Sequence, residues 1–221
     1  NQGDQIYFQA VEARNPYYLE LPDIVSSYMK EINKITGKDY KPFNYYGNPS
    51  ATKVIVAMGS VCETIKEYIN YNSSVGLIEV HLYRPFSKKY FLDVLPTSVE
   101  KIAVLDRTKE PGANGDPLYL DVCEILKDTD IEIVNGRYGL SSKDTNLNDI
   151  ESVYNFLDSD SLHNFTIGID DDVTNLSLTK TSTVFDKNYE ELLIWGYGSD
   201  GLITTSKDIL TIVGDNTDKY V

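Results

Sequence analysis

The chain of 221 residues carries 34 acidic side chains against 20 lysines and arginines, a formal charge of −14. That excludes a general nucleic-acid binder, because phosphate capture needs clustered cations and no basic stripe occurs. An apolar share of 41 % and a charged share of 24 % are ordinary globular usage, so the chain can bury a core and is not a disordered acidic tail.

In chain order, Ile24, Val25, Tyr28, Met29, Ile32 and Ile35 recur at helical spacing between Pro22 and Thr36, and Gly37 stops the run. Residues 1–50 are expected to form a lead-in arm around this helix. Lys53 to Met58 is a β-branched strand ending at Gly59. Ser60 and Glu63 then read as a capping box, opening a helix with Val61, Ile65, Tyr68 and Ile69 on one face. Gly76 to Tyr83 is the next strand, closed by Arg84-Pro85 because proline cannot donate to a ladder. A short helix follows over Ser87 to Leu95, and a third strand over Lys101 to Leu105. A charged, glycine-containing loop from Asp106 leads to a helix with Asp116 as N-cap and Pro117 at its first position. Ile131 to Val134 reads as a fourth strand, and Leu147, Ile150, Val153, Tyr154 and Leu157 mark a further amphipathic helix.

Alternating strands and helices with short connections predict an α/β fold over residues 51–160, a parallel sheet flanked by helices, since each parallel pair needs a crossover. After the polar stretch Asp158 to Asn164, residues 161–221 are expected to begin a second α/β domain. Its elements are strands at Phe165 to Ile169 and Leu192 to Trp195, a short helix over Gly201 to Asp208, and a last strand at Ile209 to Val213. About sixty residues bury little surface, so this domain is expected to be truncated.

Two segments carry chemistry. Trp195 to Gly201 reads W-G-Y-G-S-D-G, a glycine pattern between a predicted strand and a predicted helix. Gly196, Gly198, Ser199 and Gly201 are therefore candidates for a phosphate cradle, with Lys207 adding charge and Asp215 placed for a ribose. A tight packing turn accounts for the same residues. The loop Asp106-Arg107-Thr108-Lys109-Glu110-Pro111-Gly112 sits at the carboxyl end of a central strand, where open parallel sheets place ligands and partners. Arg84 ends the neighbouring strand in the same sense, so Arg84, Arg107 and Lys109 are candidates for one cationic corner. The alternative is internal pairing with Asp106, Glu110 and Asp116.

No metal site is indicated. His81 and His163 lack partners at ligand spacing, and Asp170-Asp171-Asp172 reads as a solvated turn without the spacing of a calcium loop. The only two cysteines, Cys62 and Cys123, make no C-x-x-C pair. No stretch nears the roughly 18 to 20 apolar residues of a membrane span, and the N-terminus has no signal pattern, so a soluble cytoplasmic protein is expected.

Long stretches then identify a family. VIVAMGSVCETI (Val54 to Ile65), LYRPFS (Leu82 to Ser87), VLDRTKEPGANGDPLYLDV (Val104 to Val122), GRYGLSSK (Gly136 to Lys143), NFTIGIDDDVTNLSL (Asn164 to Leu178), WGYGSDG and VGDNTD resemble pyruvate:ferredoxin oxidoreductase. The resemblance implies an internal segment of a much longer enzyme: a transketolase C-terminal-like domain followed by the opening of the next domain. It implies, for the intact enzyme, thiamine diphosphate with magnesium, iron–sulfur clusters, coenzyme A as acetyl acceptor, a homodimer, and ferredoxin or flavodoxin as electron acceptor. A hydrogenosome-like organelle is a second compartment under this resemblance. Neither catalytic residues nor cofactors are expected in the segment itself, because two isolated cysteines cannot ligate a cluster. Arg84, Arg107 and Lys109 become candidate interdomain contacts, and the glycine loop a candidate contact for coenzyme A. There the sequence departs from the family's GTVGANK, since Leu202 to Lys207 follow Gly201. Two rivals stand beside this reading: a fusion of the pyruvate:NADP oxidoreductase or sulfite reductase kind, and a free-standing dinucleotide binder using Gly196, Gly198, Gly201 and Asp215.

Overall fold

The structure, a computed structural model, describes residues 3–171, 173–186, 192–219 and 221. Asp172, in the acidic run noted above, lies outside them. The chain divides into two compact units, residues 1–183 and 184–221.

The first unit is built on a six-stranded sheet of order β1-β3-β2-β4-β5-β6. The strands are β1 (Phe43–Gly47), β2 (Lys53–Ala57), β3 (Gly76–Val80), β4 (Lys101–Asp106), β5 (Glu132–Arg137) and β6 (Phe165–Thr166). All neighbours run parallel except β1 and β3, which pair antiparallel with Phe43 opposite Val80. The α/β fold expected from the sequence is present, and its sheet is mixed rather than purely parallel. β1 falls in the segment read as a lead-in arm. Phe165, expected to open the following domain, instead extends the first sheet, opposite Gly136 of β5.

The helices are α1 (Asp4–Glu12), α2 (Asn15–Thr36), α3 (Val61–Tyr71), α4 (Lys88–Val94), α5 (Pro117–Leu126) and α6 (Leu147–Phe156), with a 3₁₀ turn at Leu140–Ser142. Side chains alternate across each strand, so the central strands feed two apolar layers. Val54, Val56, Ile78, Ile102 and Val104 point into a core shared with Phe91 of α4 and with Leu118 and Val122 of α5. Ile55, Leu77, Ala103 and Leu105 are as deeply buried, on the alternate positions. On that side α3 packs against α6, and Tyr68 stacks on Tyr154 with ring centres 5.4 Å apart. The buried Tyr154 hydroxyl donates to the Gly76 carbonyl at 2.8 Å, tying α6 to β3.

The capping box expected at Ser60 and Glu63 is not formed: Ser60 has helical backbone angles and no side-chain cap, and Glu63 pairs with Lys66 instead. The real capping box belongs to α6, where Asn146 accepts from the Asp149 amide and Asp149 accepts from the Asn146 amide.

Among its described residues the second unit holds one helix, α7 (Leu202–Asn216). Residues 192–195 form no strand, and the last strand expected at Ile209 to Val213 is the continuation of α7. An apolar run of five residues does not by itself distinguish strand from helix.

Candidate functional site

The sheet's connectivity singles out one place. From β2 the chain crosses to β3 on one side, whereas β4 and β5 lie on the other. The carboxyl ends of β2 and β4 therefore flank the point where strand order reverses, and crevices form there in open α/β sheets.

The charged loop after β4 is organised by two buried carboxylates. Asp106 closes β4, and its oxygens accept the amides of Leu118 at 3.3 Å and Tyr119 at 3.1 Å, capping the start of α5. Burial pushes its carboxyl pKa up, with the nearby charges of Asp116 and Asp121 adding and those two amides opposing. Asp116, expected to cap α5, holds N-cap backbone angles but makes no side-chain cap. Its Oδ2 instead accepts from Arg137 Nε at 2.6 Å and from Asn135 Nδ2 at 2.7 Å, and its Oδ1 takes the Glu110 amide at 3.0 Å. Asn135 Oδ1 is buried without a partner among the described residues.

The three cations expected to form one corner are engaged separately. Arg84 Nη1 donates to Asp121 Oδ2 at 2.6 Å, and its guanidinium lies 3.9 Å from the centre of the Tyr83 ring. Arg107 donates from Nε to the Gly139 carbonyl at 2.9 Å and from Nη2 to Ser142 Oγ at 3.3 Å. Gly139 has φ of +63° and sits under the Arg107 side chain, where a β-carbon would lie 3.3 Å from Nε. Lys109 is exposed and borders a cavity of about 530 Å³ with Arg137, Lys143, Ile167 and Asp170. The carboxylates proposed as internal partners, Asp106, Glu110 and Asp116, pair with none of the three among the described residues.

A second crevice, of about 330 Å³, opens at the switch point itself. It is lined by Ser60, Val61 and Thr64 after β2, by Arg107 after β4, and by Tyr138, Gly139, Ser142 and Lys143 after β5. Of these, Arg107 alone is a candidate contact in the sequence, where Ser60 is expected as a helix cap. GRYGLSSK holds four of the others, Tyr138, Gly139, Ser142 and Lys143, as a family motif, but only the strand order brings it beside Ser60.

The glycine loop of the second unit differs from a dinucleotide cradle. Gly198, Ser199 and Gly201 have positive φ, yet the Asp200 carboxylate already accepts the amides of Tyr197 at 2.8 Å and Leu202 at 3.0 Å. Those bonds, Leu202 first, hold its carboxyl below the usual range. The loop thus supplies its own anion where a phosphate was expected. Asp215, expected beyond a strand, lies inside α7, and Lys207 lies on the same helix one turn past its start.

His81 donates from Nδ1 to the Lys41 carbonyl, 3.0 Å away. No group of three or more His, Cys, Asp or Glu side chains among the described residues is arranged to hold a metal ion. No helix among them is long and apolar enough to cross a membrane.

Residues 51–150 match the profile of pyruvate:ferredoxin oxidoreductase core domain II. Over 99 % of its length the chain is 47 % identical to the pyruvate:ferredoxin oxidoreductase of Moorella thermoacetica. Over the same share it is 46 % identical to the pyruvate-flavodoxin oxidoreductase of Enterobacter agglomerans. It spans about a fifth of the length of each of these relatives. Against the pyruvate dehydrogenase [NADP(+)] of Cryptosporidium parvum it is 41 % identical and spans 12 % of that protein.

Proposed function

Since the chain belongs to the pyruvate:ferredoxin oxidoreductase family, we propose that it is an organising segment of a larger 2-oxoacid oxidoreductase, one that oxidatively decarboxylates pyruvate to acetyl-CoA. The observation that carries this reading is the match along nearly the whole chain to only a fifth of each relative. The surface of the arm supports it. α1 buries no residue and α2 buries only Pro22 and Ser26. Phe8, Tyr17, Leu19, Tyr28 and Ile35 are each more than half exposed. Apolar side chains in such number are an interface for further polypeptide, and Lys109 and the Arg84–Asp121 pair, which follow β4 and β3, are polar contacts for the same neighbours.

The chemistry lies elsewhere in the larger protein. Magnesium, thiamine diphosphate bound through it, and iron–sulfur clusters need grouped carboxylates or cysteines, and the donor sets among the described residues do not fit them. No step is therefore assigned to residues of this chain. Ferredoxin or flavodoxin is the electron acceptor in this reading.

A second reading, an NADP-linked fusion, is favoured by the similarity to the Cryptosporidium protein. One immunoblot of source-cell lysate, with an antibody raised against the chain, tests both. A band several times the mass of the 221-residue chain is expected. The NADP-linked relative is longer still, so a correspondingly heavier band selects the fusion. A band at the mass of the chain alone overturns both readings.

A further inference from the structure

We infer that the crevice at the reversal of strand order binds a phosphoryl group, through Arg107 and Lys143 with the hydroxyls of Ser60, Thr64 and Ser142. The argument starts from topology. The crevice lies at the carboxyl ends of β2, β4 and β5, the position where open α/β sheets accept ligands. Its volume of about 330 Å³ suits a small phosphate ester and is at the lower end of the range for ligand pockets.

The lining is chemically selective. Arg107 is oriented by a carbonyl and a hydroxyl, Gly139 and Ser142, and not by a carboxylate, so its positive charge is not neutralised. Its Nη1 hydrogens have no protein partner among the described residues, and the planar fork they belong to suits a tetrahedral oxyanion. Lys143 lines the same crevice and has no carboxylate partner among the described residues. Tyr138 is buried, and burial pushes its hydroxyl up to about 12, so it stays a neutral phenol and brings no negative charge. Asp144 is the one carboxylate in the lining among the described residues. In a chain of net charge −14, two cations meeting several hydroxyls across three loops is a local reversal of sign that favours an anion.

Arg107 was expected to reach another domain. Its two internal bonds hold it over Gly139 at the crevice, and this inference concerns the chain's own ligand and not its neighbours.

The test is titration of the isotopically labelled 221-residue chain at constant ionic strength, using inorganic phosphate, phenyl phosphate and chloride, with backbone amide shifts as readout. The expected result is saturable shifts at Ser60, Val61, Gly139 and Ser142 with phosphate and none with chloride. Tighter binding of phenyl phosphate identifies a phosphate ester as the ligand class, and tighter binding of inorganic phosphate identifies the free ion. Lys143→Gln, on an exposed side chain, is expected to weaken binding on the order of tenfold, the loss of one charge-assisted bond. Lys88→Gln removes the same charge at an exposed residue of α4 that lines neither cavity and is expected to leave the affinity unchanged. Non-saturating shifts up to tens of millimolar, or equal losses in the two lysine variants, would overturn the inference.

Discussion

Asp106 caps the helix that Asp116 precedes. The carboxylate at the end of β4 takes the amides of Leu118 and Tyr119, and Asp116, next to Pro117, is released to hold Arg137 and Asn135. Proline at the first helical position has no amide to offer, so the first amides in need of an acceptor are those of Leu118 and Tyr119. This exchange of roles ties β4, β5 and α5 into one polar knot beneath the crevice.

The Asp116–Arg137 pair is buried, with the Asp116 side chain fully covered and that of Arg137 15 % exposed. Removing one partner leaves an uncompensated buried charge, so Asp116→Ala is expected to cost about 3–5 kcal/mol of stability. Urea unfolding of the chain measures it. The double variant Asp116→Ala with Arg137→Met is expected to recover part of the loss, because it removes the stranded guanidinium. A loss below about 1 kcal/mol in the single variant, the value of an exposed pair, would refute the knot.

Asp106 sets a pH dependence of unusual sign. Its folded-state pKa is raised above the ordinary value of 3.8, chiefly by burial, so the folded chain binds this proton more tightly than the unfolded chain. The stability it contributes is fully present below 3.8 and is lost as pH rises through the raised value. Asp106→Asn removes the titration, and the stability of the wild type relative to this variant is expected to fall as pH rises across that window. Unfolding free energies of both proteins from acid to neutral pH decide the matter, and a difference that grows with pH is the contrary result.

Gly136 is required by a neighbouring ring. A β-carbon there would lie 2.4 Å from Phe165 Cζ and 2.7 Å from Leu105 Cδ2, and both side chains are buried. β6 is only two residues long, and the ring packed over Gly136 attaches it to the sheet beside the bond from the Ile167 amide to the Arg137 carbonyl, 3.0 Å. Gly136→Ala is expected to cost about 1–3 kcal/mol, the range for overpacking a core, and to raise amide exchange at Thr166 and Ile167 first. Unchanged exchange at those two amides would show that β6 is held by something else.

The sequence made some of this legible and hid the rest for physical reasons. KVIVA, GLIEV and KIAVL are apolar runs punctuated by glycine, proline or charge, so β2, β3 and β4 were readable. β1 was not, because FNYYG has one fully buried side chain and its partner β3 lies more than thirty residues away; pairing across that distance leaves no local trace. The sequence divides α7 between a helix and a strand because ILTIV fits either period, and only the continuous ladder from Gly201 decides between them. At the site, a dense charged loop after β4 was readable as a place of contact. Which carboxylate served which donor was not, since Asp106 reaches amides twelve and thirteen residues ahead. Lys143 and Ser142 acquire meaning only once the strand order sets their loop against Ser60.

The two cysteines differ in a way that thiol chemistry reads directly. The thiolate is the reactive form. Cys62 is fully buried on α3, and burial, with the charge of Glu79 nearby, pushes its thiol up to about 12. Cys123 on α5 is half-buried, and burial raises it too, against a hydrogen bond with Tyr119 that lowers it. Both are therefore expected to react slowly with an alkylating reagent at mildly alkaline pH, with Cys123 first. Cys62 is expected to react only as fast as the core opens, so its rate should rise steeply with urea while that of Cys123 changes little at low urea. Mass spectrometry of peptides alkylated over time separates the two sites, and Cys123→Ser isolates the slow phase. Labelling of Cys62 in native buffer at the rate of an exposed thiol would mean that α3 does not rest on the sheet as described.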